Sequence, residues 1–180
     1  MCGATITAKA QNNDNTEKPK KALLVVDIQK WLTEHNLHDF PIFIQTVNQT
    51  ISTFRESGDL IIFVQHNNVI LRKNTDNWEI DDRVDKQDGD IVVQKFQGNA
   101  FAKTDLESII RENNIDEIVV CGLISHGCVK ATCLGSLKLG FPTALVKNGH
   151  SNWHKKAVDK INLVEKELVD KGATIFSLDK

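Results

Sequence analysis

Six short apolar runs alternate with amphipathic or polar stretches along this chain, and the alternation carries most of what can be read about its fold. "KALLVVD" ends at Asp27 and has the continuous apolar character of a strand buried on both faces. In "PIFIQTVNQTISTFRESG", Ile42, Ile44, Val47, Ile51 and Phe54 recur at helical spacing and Gly58 supplies a stop, which predicts an amphipathic helix. "DLIIFVQH" predicts a second strand ending at His66, and "IVVQK" a third ending near Lys95. Thr104 with Glu107 three residues later marks "TDLESIIRENN" as a helix opened by a capping box. "DEIVVCGL" reads as the fourth strand. "HGCVKATCLGSLKLG" reads as a helix stopped by Gly140, with Val129, Cys133, Leu134 and Leu137 on one face. "FPTALVKNG" is the fifth strand, "WHKKAVDKINLVEKELVDKG" a long helix to Gly172, and "ATIFSL" a sixth strand.

Strands that alternate with helices imply crossover connections and a parallel sheet covered on both sides. The expected class is therefore α/β: a three-layer α/β/α domain with a doubly wound, parallel six-stranded sheet in the order 3-2-1-4-5-6. The polar stretch "NNVILRKNTDNWEIDDRVDKQDGD" is long for a connection inside a compact domain, so it is expected to act as a lid or pocket wall. Residues 1–21 are rich in Asn, Lys, Gln and Thr without periodicity and predict a flexible arm ahead of one domain over 22–180.

In open parallel sheets the ligand crevice lies beyond the carboxyl ends of the strands. Asp27, His66, Lys95 and Cys128 follow the first four strands at that end, so topology can gather them although they are far apart in sequence. Cys128 falls in the first turn of its helix, where free N–H groups favour a thiolate. A nearby lysine would lower the thiol pKa further, a carboxylate can take its proton, and the turn amides can receive an oxyanion. Each residue also has a plain structural reading. Free cysteines are mostly buried packing residues, a strand-end aspartate often only caps a turn, and a lysine there is usually solvated. Cys121 and Cys133 fit that plain reading.

Composition removes several classes of partner. The formal charge is −2 with no basic block, so neither nucleic acid nor an anionic membrane is favoured. No apolar run reaches the ~20 residues of a membrane span, and the N-terminus lacks the pattern of a secretory signal. Cys2, Cys121, Cys128 and Cys133 match no zinc-ribbon or CxxC spacing, which points to reduced thiols and a cytoplasmic protein. His66, His126 and His150 lie near strand ends without the closer paired spacing of zinc sites. For His66 a substrate hydrogen-bond donor is the better reading, for His126 a polar turn residue, and for His35, His38 and His154 a surface position. His66 or His150 paired with Cys128 is the rival to Asp27 as base. Trp31, Trp78, Trp153 and Phe101 either line a pocket or cover helix ends and subunit contacts. The second half of "GHSNW" can turn towards the same pocket and has no assignable role.

Taken together, "ALLVVDIQ", "DIVVQKFQGNAFAKTDLESII" and "IVVCGLISHGCVKAT" resemble, in that order, the isochorismatase-like cysteine hydrolase superfamily. The resemblance implies the doubly wound fold, with Asp27 as acid–base, Lys95 as catalytic lysine and Cys128 as nucleophile. It also implies a cis Leu123–Ile124 peptide and an oxyanion hole formed by the amides of Ile124 and Cys128. The implied reaction is hydrolysis of a small amide or carbamoyl C–N bond through a thioester. His66, Trp78, Phe101 and Ser125 are then candidate substrate-binding residues, Ser125 standing where the family writes threonine. Nicotinamidases of this family hold a metal through an aspartate and histidines after the second strand. Here "VQHNNVIL" has one histidine and no Asp-x-His pattern, so neither metal nor cofactor is expected. The implied partners are a small-molecule substrate and further copies of the chain. Three other readings stay open: a thiol-redox module with Cys133 as resolving cysteine, a non-catalytic scaffold, and a hydrolase of a different bond.

Overall fold

A computed structural model describes residues 18–153 and 156–178 of the chain. The expected arm lies outside the described residues up to position 17, as do Cys2 and His154. Six strands form one sheet: β1 (Lys21–Val26), β2 (Leu60–His66), β3 (Ile91–Lys95), β4 (Glu117–Leu123), β5 (Thr143–Ser151) and β6 (Thr174–Phe176). Their order is β3-β2-β1-β4-β5-β6, and every pair is parallel. The helices are α1 (Lys30–Thr33), α2 (Phe40–Glu56), α3 (Leu106–Glu112), α4 (Lys130–Lys138) and α5 (Ala157–Asp170). Among the described residues no helix is long and apolar enough to cross a membrane.

The chain winds outward in both directions from β1, so its crossovers cover opposite faces of the sheet. Leu23 and Val25 of β1 pack with Phe43, Val47, Ile51 and Phe54 of α2. Ala22, Leu24 and Val26 pack on the other face with residues of α3, α4 and α5. The α2 stripe is turned by one residue from the sequence expectation: Phe43 is buried, whereas Ile42 is half exposed. Both residues are apolar, so the pattern alone does not choose between them.

Residues 67–90, expected as a lid or pocket wall, line two surface cavities, one with Gln94 and Phe96 and one through Trp78 and Val84, and they also fill part of the core. Leu71, Trp78 and Val84 enter the core on the α2 side, where a crossover helix would otherwise lie. Asn48 of α2 brackets the segment, donating to Arg83 O (2.8 Å) and accepting from Asp85 N (3.0 Å). Arg55 closes its far end with two bonds to Asp90, 2.9 and 3.2 Å. Trp78, expected as a substrate contact, is largely buried in this core, because a connection without an α-helix of its own must bury large apolar side chains to cover the sheet.

Three other local features depart from the expected pattern. Thr104 forms a short hydroxyl turn, donating to Ala100 O (2.6 Å) and accepting from Leu106 N (3.3 Å), and Glu107 pairs with Arg111 and does not close a capping box. A π-type turn, Ser125–Val129, precedes α4. Strand β5 runs past Gly149 to Ser151 through an irregularity: Val120 pairs with Leu145 but Gly122 with His150, so residues 146–149 stand opposite Cys121 alone.

Gly122 sits at φ +123, and a Cβ there would stand 2.0 Å from Val26 O of the neighbouring strand. Backbone, unlike a side-chain tip, cannot step aside. Gly122→Ala is therefore expected to cost about 3 kcal/mol or more in denaturant unfolding. A loss under about 1 kcal/mol would show that β1 and β4 separate easily at the site.

Candidate active site

The two central strand ends and their neighbours deliver the reactive groups. His66 and Lys95 are direct partners in the β2–β3 register, so their side chains leave the sheet on the same face. Asp27 follows β1 in the left-handed region (φ 53), tied by its own N–H to Val64 O at 2.8 Å. Cys128 stands in the turn between β4 and α4, where Gly127 leaves helical geometry (φ −105, ψ −113). The N–H groups of Gly127 and Val129 both return to Ile124 O, at 2.9 and 3.4 Å. The Leu123–Ile124 peptide is cis.

Lys95 is fully buried and places its ammonium among three acceptors: Asp27 Oδ2 at 2.7 Å, His66 Nδ1 at 2.8 Å and Cys128 Sγ at 3.2 Å. An ammonium has three N–H donors, and all three are engaged. His66 must then accept at Nδ1 and carry its proton at Nε2. Burial, followed by the Lys95 charge, lowers the His66 pKa and favours this neutral form. Asp27 is raised from the ordinary carboxylate value by burial, with Lys95 opposing. Its Oδ1 is buried with no partner among the described residues.

The thiol departs from the sequence expectation. Burial, then the Asp27 charge, pushes Cys128 up to about 12 against the pull of Lys95. Lysine was expected to win, but the sulfur is largely withdrawn from water and has an anion as well as a cation beside it. The resting group is thus a thiol with an unsatisfied carboxylate oxygen close by. An oxygen of Asp27, a ring nitrogen of His66 and Sγ all lie within 4.8 Å of one another.

Asp27, His66 and Cys128 are of metal-ligating type, but the Lys95 ammonium occupies the space between them. A resident metal would have to displace that cation and compete for His66 Nδ1. Asn67, next to His66, is engaged with Lys95 O through its N–H at 2.8 Å. These residues do not fit a metal.

The remaining candidates are dispersed. Ser125 is buried, with its hydroxyl donating to Ser151 O (2.9 Å) and 2.9 Å from His150 Nδ1, so it faces β5 and not a substrate. The Phe101 ring stacks on Phe141, 6.3 Å between centroids, against the helical face, because that face offers an aromatic partner. His126 meets Asn152, so His66, His126 and His150 engage separate partners. Trp31 and Trp153 meet edge to face at 6.0 Å and wall a shallow cavity of about 370 Å³ with Glu34, His35 and Asn36. Cys133 is fully buried, away from the exchange chemistry a resolving cysteine needs.

Sequence reasoning passed over Gln29. It is fully buried, accepts from His66 N (2.9 Å) and donates to His66 O (3.1 Å) and Trp78 O (2.8 Å), which fixes the strand end that carries the imidazole. Its one visible signal was its place two positions beyond Asp27, among the residues that follow the first strand.

Residues 21–176 match the Isochorismatase domain. The isochorismatase family protein YddQ of Bacillus subtilis is 30% identical over 148 residues, covering 78% of this chain and 82% of that protein. Among solved structures, the pyrazinamidase of Pyrococcus horikoshii in complex with zinc superposes with a TM-score of 0.79 at 25% identity, covering 89% of this chain and all of that one (100%). The N-carbamoylsarcosine amidase of Thermoplasma acidophilum gives a TM-score of 0.74 at 26% identity, covering 89% and 98%. The domain match takes in the whole sheet from β1 to β6, together with the strand ends that carry Asp27, Lys95 and Cys128, and on that ground the chain belongs to the isochorismatase family.

Proposed function

We propose that this protein is a cysteine-dependent hydrolase of a small amide or carbamoyl compound, acting through a thioester on Cys128. The observation that carries the reading is the buried Lys95 ammonium bonded at once to Asp27, His66 and the sulfur. Family relatives named as amidases support the class of bond.

In this mechanism Asp27 takes the thiol proton as the sulfur attacks the carbonyl carbon, while Lys95 compensates the forming thiolate. The oxyanion is received by the amides of Ile124 and Cys128. The C–N bond breaks, and the amine departs with the proton held on Asp27. Water then attacks the thioester, Asp27 accepts its proton, and that proton returns to the sulfur as the acid leaves. His66 is a poor base here, because Nδ1 accepts from Lys95 and Nε2 already carries hydrogen. That N–H is a ready donor to the substrate. The same reading takes the protein as cytoplasmic and self-associating; the exposed apolar side chains of Val69 and Phe96 bear on the second of these alone.

A panel of small amides, ureido compounds and carbamoyl amines, assayed for ammonia or amine release, tests the proposal. Turnover should require Asp27 ionised, and burial raises its pKa. The acid limb of kcat/KM is therefore expected above the ordinary carboxylate value of 3.8, with activity rising as pH increases through it. No release from any panel member ends the proposal. An acid limb unchanged in Asp27→Asn removes that residue as the base.

A further inference from the structure

The irregularity in β5 has a chemical outcome. Four residues stand opposite one, Asn148 adopts a left-handed conformation (φ 59), and Gly149 admits no side chain, since a Cβ would meet Val146 Cγ1 at 2.5 Å and Cys121 Cβ at 3.3 Å. Beyond this kink His150 is brought level with Gly122, its side chain wholly buried beneath the turn that carries Cys128. A buried imidazole is costly unless its nitrogens are used. The "GHSNW" segment therefore asks what this ring holds.

Its hydrogen bonds can be assigned. Ser125 Oγ lies 2.9 Å from Ser151 O, and a carbonyl can only accept, so the single hydroxyl proton points there. Oγ must then accept from His150, which places a proton on Nδ1, 2.9 Å away. The opposite nitrogen, Nε2, faces Glu165 Oε1 of α5 at 3.5 Å without a hydrogen bond among the described residues. Glu165 is tied in turn to Lys147 Nζ at 2.6 Å through its other oxygen. A hydrogen-bonded chain thus runs from the ring through Ser125 Oγ to Ser151 O. Ser125 lies between Ile124 and Cys128, the two residues whose amides would receive the oxyanion.

We infer that His150 is a positioning residue for the nucleophile turn: through Ser125 it holds the amides of Ile124 and Cys128 in the orientation that receives the oxyanion. Neither Ser125 nor His150 touches the reacting atoms, so their effect falls on transition-state geometry and not on substrate affinity. This inference rests on the hydrolase reading above. It adds that the oxyanion site is set by a side-chain relay from β5 as well as by the turn itself.

The experiment combines kinetics with a probe that needs no turnover. On an amide found by the panel, Ser125→Ala and His150→Ala are expected to lower kcat about 10- to 100-fold with KM changed less than about twofold, as misplacement by a fraction of an ångström does. The double variant should be little worse than either single one, since both cut one relay. His150→Asn, whose Nδ2 falls near the position of Nδ1, should recover most of kcat. In parallel, acetaldehyde adds reversibly to the Cys128 thiol, and the hemithioacetal oxygen occupies the same site. Its affinity should fall in step with kcat, with thermal unfolding followed for every variant. His150→Gln, bulkier in place of Ala yet lacking a donor at Nδ1, serves where His150→Ala does not fold. Folded Ser125→Ala and His150 variants that keep wild-type kcat and aldehyde affinity overturn the inference. So does His150→Asn performing no better than His150→Ala. If the wild type releases no amine, the hydrolase reading fails by itself, and the aldehyde affinities alone decide the relay.

Discussion

Cys128→Ala is expected to lower amine release by about 10³-fold or more while leaving the fold in place. In the proposed mechanism the sulfur is the one group no neighbour can replace: Asp27 and Lys95 would activate an attacking atom but do not supply one at that position. Its structural role is modest by comparison. Cys128 lies in a turn, is partly exposed and sits at the edge of the core cluster that fully encloses Cys133. Removing it leaves one Lys95 N–H without an acceptor, a cost of about 1–3 kcal/mol that entering water reduces. Cys128→Ser separates the two effects. A hydroxyl keeps an acceptor for Lys95 but ionises far less readily, so stability should return towards wild type while turnover stays lost. Mass spectrometry of enzyme quenched with substrate should show the added acyl mass in wild type and none in the Ala variant. Retention of a tenth or more of wild-type turnover in Cys128→Ala would rule out covalent catalysis at this sulfur.

The parts of this site that were legible in the sequence are those that follow from strand ends. Continuous apolar runs such as Leu23–Val26 in β1 announce burial on both faces, and a parallel sheet then dictates which end carries the crevice. Asp27, His66, Lys95 and Cys128 were visible for that reason. Residues whose role depends on a partner across the fold were not. Gln29 reads as an ordinary polar residue until His66 and Trp78 are seen on either side of it. Ser125 and His150 lie 25 positions apart, and only the irregular register of β5 joins them. The burial of Trp78 was not legible because hydropathy does not distinguish an indole that lines a pocket from one that covers a sheet. The direction of the Cys128 pKa was misjudged for a related reason: sequence shows which charges are near but not how much water is excluded, and here burial outweighs the lysine.

The second large effect concerns the buried charge pair. Lys95→Met is expected to abolish turnover and also to destabilise the fold by about 3–5 kcal/mol at neutral pH, because it leaves Asp27 buried without its counter-ion. Methionine fills nearly the same volume, so little of that loss should come from a cavity. The pH dependence distinguishes the causes. Asp27 has a folded-state pKa raised above 3.8 by burial even with the ammonium in place, and removing the ammonium raises it further. A carboxyl raised on folding contributes stability that is present below the unfolded value and declines as pH climbs through the folded one. Lys95→Met should therefore lose less stability relative to wild type as the pH is lowered towards the ordinary carboxylate range, whereas a packing defect would be insensitive to pH. Adding Asp27→Asn removes the stranded anion, so the double variant should regain most of the neutral-pH stability and remain inactive. Urea unfolding of the wild type, the two single variants and the double variant measures the coupling directly. A double variant no more stable than Lys95→Met would mean that the ammonium holds the strand ends together through His66 and the sulfur, with the Asp27 charge contributing little.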